Sequence, residues 1–90
     1  VKGNRVLYRI LSVFDGVSGS YSQPFFTPAV GAGVRSFSDE VNRAATDNVY
    51  FNHPSDFSLM LLGTFDPVSG VITPCQQPEL IARAADLRSQ

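Results

Sequence analysis

Leu11-Ser12-Val13-Phe14-Asp15-Gly16-Val17-Ser18-Gly19 and Leu62-Gly63-Thr64-Phe65-Asp66-Pro67-Val68-Ser69-Gly70 decide the fold. The two stretches lie 51 residues apart (62 − 11) and agree at six of nine positions. In each, an apolar run ends at Phe-Asp, and a glycine follows four residues after the aspartate. Aspartate caps backbone N–H groups in turns, and glycine accepts the positive φ that tight turns need. Each stretch therefore predicts a strand running into a turn. An internal repeat and good hairpin chemistry used twice are both open as its origin.

Outward from the first turn, Arg5 to Phe14 alternates as a strand. Val6, Tyr8, Ile10 and Phe14 fall on one side, and Arg5, Leu7, Arg9, Leu11 and Val13 on the other. Tyr21 to Phe26 predicts a second strand. Pro24 inside it cannot donate to a ladder, which places that strand at an edge or a bulge. Around the second turn, Phe57 to Phe65 is a strand with Phe57, Leu59, Leu61 and Phe65 facing one way and Ser58, Met60, Leu62 and Thr64 the other. Val71-Ile72-Thr73 predicts a short return strand stopped by Pro74. The 51-residue offset lays Val6, Tyr8, Ile10 and Phe14 on Phe57, Leu59, Leu61 and Phe65, so both sets are expected to face the core.

Pro28 to Ala45 has helical spacing, with Val30, Val34, Phe37, Val41 and Ala44 in one stripe. Thr27 is a candidate cap and Pro28 a candidate first residue. Gly31 and Gly33 weaken the first turns, which allows a start as late as Val34. His53-Pro54-Ser55-Asp56 predicts a turn or a single helical turn opened by Pro54. Pro78 to Leu87 predicts a final helix on Leu80, Ala84 and Leu87. The order is ββα-ββα. The expected fold is α+β, one domain over residues 1–90, with an antiparallel sheet of about four strands from two hairpins and the helices on one face.

Ninety residues with 43% hydrophobic side chains make a small globular chain with little room for a deep enclosed site. The longest apolar run, Leu59 to Leu62, is far short of the ~20 residues of a membrane span, and no basic-then-apolar leader opens the sequence. A reducing interior is expected, and no membrane partner is expected. Cys75 has no second cysteine to pair with, and one cysteine and one histidine, His53, make a structural zinc site implausible. No cofactor and no metal are expected. No nucleophile-elbow motif is present, Cys75 has no neighbouring base, and Asp39 and Glu40 point apart on a helix. Gly31-Ala32-Gly33 lacks both phosphate-loop patterns. The chain reads as a non-enzyme.

The net charge is −1. Residues 1–38 carry Lys2, Arg5, Arg9 and Arg35 against Asp15, and residues 39–90 carry three arginines against seven acids. That asymmetry fits either a basic surface at one end or cations scattered on solvated faces. Single-stranded DNA binders combine cations for phosphate with flat rings for stacking. Lys2, Arg5, Arg9 and Arg35 are the candidate cations, and Tyr8, Tyr21, Phe25 and Phe26 the candidate rings, with Tyr8 or Tyr21 the expected stacking residues. Leu7, Leu11, Met60 and Leu62 fall on the sheet side opposite the expected core. Such a patch is rarely left bare, so either the C-terminal helix crosses to cover it or a second subunit does, and a homo-oligomer through this sheet or its Pro24-bearing edge is expected.

Phe37-Ser38-Asp39-Glu40-Val41-Asn42, His53-Pro54-Ser55-Asp56-Phe57-Ser58-Leu59, Leu62-Gly63-Thr64-Phe65-Asp66 through Gly70, and Thr73-Pro74 follow in an order that resembles the small nonstructural protein of gokushovirus-type microviruses, phages with single-stranded DNA genomes. The resemblance implies a part in viral DNA synthesis, either as a DNA-binding protein or in the switch from double-stranded replication to single-stranded genome production. It carries no catalytic motif. Its implied partners are single-stranded DNA, the viral replication initiator or the capsid proteins, and a place as a minor virion component is the alternative to a nonstructural one.

Overall fold

A computed structural model of the chain describes residues 6–89. Its elements, in order, are β1 (Tyr8–Asp15), β2 (Ser20–Tyr21), β3 (Phe25–Thr27), α1 (Val30–Val41), α2 (Val49–Asn52), a 3-10 turn (Pro54–Asp56), β4 (Phe57–Phe65), β5 (Ile72–Arg83) and α3 (Ala84–Leu87). The fold is α+β with one antiparallel sheet. β2 and β3 lie in tandem along one side of β1, then come β4 and β5.

The two Asp-x-x-x-Gly turns have one geometry. Asp15 Oδ1 accepts the Val17 N–H at 2.9 Å, the Asp15 carbonyl accepts the Gly19 N–H at 2.8 Å, and Gly19 has φ 72°. Asp66 Oδ1 accepts the Val68 N–H at 2.9 Å, the Asp66 carbonyl accepts the Gly70 N–H at 2.7 Å, and Gly70 has φ 78°. A side-chain oxygen thus replaces the missing ladder partner while glycine takes the left-handed position.

The predicted strand Tyr21–Phe26 is two short strands. Between them Ser22-Gln23-Pro24 stands opposite Ser12-Val13, an edge and a bulge at once. The Ser22 hydroxyl accepts the Val13 N–H at 3.0 Å, and the Ser12 hydroxyl donates to the Ser22 carbonyl at 2.7 Å. The break therefore leaves these groups satisfied, and Ser12 can be fully buried.

Helix α1 begins at Val30, with Ala29 as its uncapped N-cap; the Thr27 hydroxyl donates to the Ala29 carbonyl instead of capping the helix. Gly31 and Gly33 do not delay the start, because Gly33 is buried where a Cβ would collide with the Leu11 side chain. The helix stops at Val41 rather than Ala45. Asn48 folds back so that its Nδ2 donates to the Glu40 and Arg43 carbonyls, both at 2.8 Å, while its Oδ1 accepts the Tyr50 N–H and starts α2.

The expected final helix over Pro78–Leu87 is mostly strand. β5 does not stop at Pro74 but runs to Arg83, and only Ala84–Leu87 is helical. β4 is nine residues long and its Ser58–Leu61 half needs a partner, which Glu79–Arg83 supplies. Cys75-Gln76-Gln77-Pro78 bulges out opposite the single residue Leu62, so the two prolines fall at the irregular part of an edge strand.

The core lies between the helices and one sheet face. It consists of Leu11, Val13, Phe37, Val41, Phe57, Leu59 and Ala84. Of the expected core set on β1, Ile10 is buried at 7% exposure, but the set faces away from the helices. Leu11 and Val13 pair with Leu61 and Leu59 and face the helices, and Tyr8, Ile10 and Phe14 occupy the opposite face. Leu62 is the cause. It is an extra residue between the Ile10–Gly63 and Leu11–Leu61 pairs, so the alternation of β4 reverses there. Phe57, Leu59 and Leu61 face the core as expected, whereas Phe65 does not.

Candidate nucleic-acid interface

The sheet face away from the helices is built of four cross-strand rows fixed by the register. Tyr8 lies beside Phe65, and Phe65 beside Ile72. The next row is Phe26, Ile10, Gly63 and Pro74, then Ser12, Met60 and Leu80, then Tyr21, Phe14, Ser58 and Arg83. Aromatic rings cluster at the two ends. Tyr8 and Phe65 are 6.5 Å apart between centroids, Phe65 and Phe26 5.5 Å, edge to face, and Phe14 and Tyr21 4.8 Å. Tyr21 is 44% exposed, Phe26 50%, Ile72 57% and Leu80 42%. At about 3.3 Å per residue, the two ring clusters stand about 20 Å apart along β1.

No strand position of this face carries a carboxylate among the described residues. Asp15 and Glu79 pair with Phe57 and Leu61 and so belong to the helix side. The remaining described acids sit on helices or turns. The acidic second half of the sequence is thus segregated from the open face.

Of the sequence-derived site residues, Tyr8 and Tyr21 lie on this face, at opposite ends of it. Arg9 pairs with Thr27 and Thr64 on the helix side, and its Nη1 donates to the Leu7 carbonyl at 3.0 Å. Arg35 is exposed on α1, on the helix side of the sheet. Lys2 and Arg5 lie outside the described residues. The expected association patch is not one surface. Leu11 has no exposure and belongs to the core, Leu62 is the half-buried bulge residue, Leu7 is half-buried ahead of β1, and only Met60 lies on the open face in a regular row.

Phe26, a candidate ring in the sequence, lies on this face, and Phe25 lies on the helix side. The sequence reading missed Phe14 and Phe65 as surface rings and Arg83 as the cation of this face. All three follow from register, which alternation alone misassigns across the Leu62 bulge. The other described cations are placed elsewhere. Arg43 binds Glu40 through both of its oxygens, with the shortest contact 2.7 Å, and that hydrogen bonding holds the Glu40 carboxyl below its ordinary range. Arg88 stacks over Phe51 at 3.7 Å and donates to its carbonyl. Arg83 makes no ion pair or side-chain hydrogen bond among the described residues. His53 is exposed and caps the 3-10 turn.

No group of three or more His, Cys, Asp or Glu side chains among the described residues is placed to hold a metal ion. No described helix is long and apolar enough to cross a membrane. What the open face offers is ring surface and one guanidinium without an opposing carboxylate, a setting for stacking and phosphate contact.

No curated protein and no solved structure matches the chain significantly. A family model described as Phage ORF5 protein matches residues 8–87, which run from the first residue of β1 to the last of α3. With the whole sheet and all three helices inside the match, the chain belongs to the Phage ORF5 protein family.

Proposed function

We propose that this phage protein is a non-enzymatic accessory factor of a gokushovirus-type microvirus that binds single-stranded DNA on its open sheet face. The observation that supports this reading most is the composition of that face, with five rings, one arginine that makes no ion pair among the described residues, and no described carboxylate. Bases stack on Tyr21 and Phe14 at one end and on Phe26, Phe65 and Tyr8 at the other. Duplex DNA hides its base faces and cannot use these rings. Few cations are available, so stacking rather than phosphate contact carries the affinity. Each stacked base contributes ~1–3 kcal/mol.

Fluorescence anisotropy with a labelled ~30-nucleotide single strand and its duplex, over a salt series, tests the reading. Preference for the single strand is expected, with a log–log salt slope of about −2 or shallower, because at most Arg83, Lys2 and Arg5 reach phosphate at about −0.7 each. Phe26→Ala is expected to weaken binding about tenfold, the equivalent of one stacked base. No binding at low salt by folded protein overturns the proposal.

A second reading rests on the aliphatic middle of the face. Met60 and Leu80 lie between the ring clusters and Ile72 borders one of them, and such a surface also suits a second copy or the replication or capsid machinery. Protein association there is insensitive to salt, and sedimentation of the free protein detects it.

A further inference from the structure

The gap between β2 and β3 opens a cleft on the helix side, which meets the proposed DNA face at Tyr21. It has two adjoining lobes of ≈ 290 Å³ and ≈ 250 Å³ that share Val13, Ser22 and Tyr50. Each lobe is below the ~300–1,000 Å³ of small-molecule sites, which makes it side-chain sized. Aromatic rings furnish both lobes, Phe57 in one and Phe25 with Phe37 in the other. The Tyr50 ring is fixed edge-on against Phe37 at 5.8 Å and Phe57 at 4.7 Å. Its hydroxyl makes no hydrogen bond among the described residues.

Each lobe also carries one carboxylate, Asp15 in the larger and Glu40 in the smaller. Asp15 uses Oδ1 for its turn, accepting the Val17 and Ser18 N–H groups, and Oδ2 has no such bond. Both oxygens of Glu40 already accept from Arg43, which leaves Asp15 as the carboxylate for a ligand. Burial first, then the Glu40 and Asp15 carboxylates, push the Tyr50 phenol up from its ordinary range. Aromatic walls beside a carboxylate complement a cation with a flat face and an apolar stem. Guanidinium stacks on rings and donates to carboxylates in a way ammonium does not.

We infer that this cleft is a docking slot for an arginine side chain presented by a basic segment of a partner protein. Asp15 receives the guanidinium, Tyr50 and the neighbouring rings flank it, and the stem lies over Val13. The inference goes beyond the DNA reading and shares only Tyr21 with that surface, so either stands without the other.

The test is a ¹⁵N–¹H titration of the full chain with acetyl-Gly-Arg-Gly-amide, and with the same peptide carrying norleucine for arginine. Saturable shifts at Val13, Ser22 and Tyr50 are expected with the arginine peptide, and about fivefold weaker binding with norleucine, the equivalent of one partly exposed ion pair. Asp15→Asn keeps the turn-capping oxygen and removes the charge. It is expected to weaken the arginine peptide about fivefold and leave the norleucine peptide unchanged. Equal binding of the two peptides, absence of shifts, or shifts at these residues that grow with protein concentration alone overturn the inference. Should Asp15→Asn fail to fold, the comparison of the two peptides on the unaltered chain decides.

Discussion

Gly63 sits where β4 changes face, directly after the bulged Leu62 and opposite Ile10 and Pro74. A Cβ there would collide with the Thr73 carbonyl and the Pro74 backbone, which cannot swing aside as a side-chain end can. Gly63→Ala is expected to destabilise the fold by about 1–3 kcal/mol. Gly31, by contrast, is exposed in α1 with open space at its Cβ position. Gly31→Ala is expected to stabilise by up to about 1 kcal/mol through helix propensity. Urea midpoints of the two variants measure both. Tyr50 gives a pH signature. Its folded-state phenol is held neutral above its ordinary value of 10.0 by burial and by the Glu40 and Asp15 carboxylates. The stability this confers is full below pH about 10 and falls as pH rises through the raised value. Thermal melts between about pH 9 and pH 11 should show that fall in the natural chain and a smaller one in Tyr50→Phe.

At the scale of elements, Asn48 is the joint between α1 and α2. It is 4% exposed, closes two carbonyls at the end of one helix and caps the start of the next. Asn48→Ala leaves those groups buried without partners and is expected to cost about 2–3 kcal/mol, read from the denaturation midpoint. The elements differ in how far local sequence specifies them. The two turns and β4 are legible because Asp, Gly and strict alternation act within a few residues. α1 is legible in its stripe but not in its ends, which Gly33 against Leu11 and the distant Asn48 determine. β5 is not legible. Glu79-Leu80-Ile81-Ala82-Arg83 has helical spacing, and only the pairing demand of β4 makes it a strand. Pro74, Pro78 and the bulges on β5, with Pro24 on the other side, also leave both sheet edges poorly suited to strand addition.

For the whole molecule, the helices cover one sheet face and the acids follow them, which leaves a ring-bearing face on the other side. Sequence alone could find that surface rings and cations exist but not which face they share, because both sides of β1 are apolar and one inserted residue, Leu62, reverses half of β4. Tyr8, Tyr21 and Phe26 were visible as candidates for that reason, and Phe14, Phe65 and Arg83 were not. Arg9 and Arg35 were separated from the rings by the sheet itself. The most direct test of the account is a ¹⁵N–¹H map of the chain titrated with a short thymidine oligonucleotide at low salt. The account predicts shifts at Tyr8, Ile10, Phe14, Tyr21, Phe26, Met60 and Phe65, with Arg35 and the rest of α1 unmoved. Shifts centred on α1 and Arg35, or none from a folded protein at low salt, would contradict it.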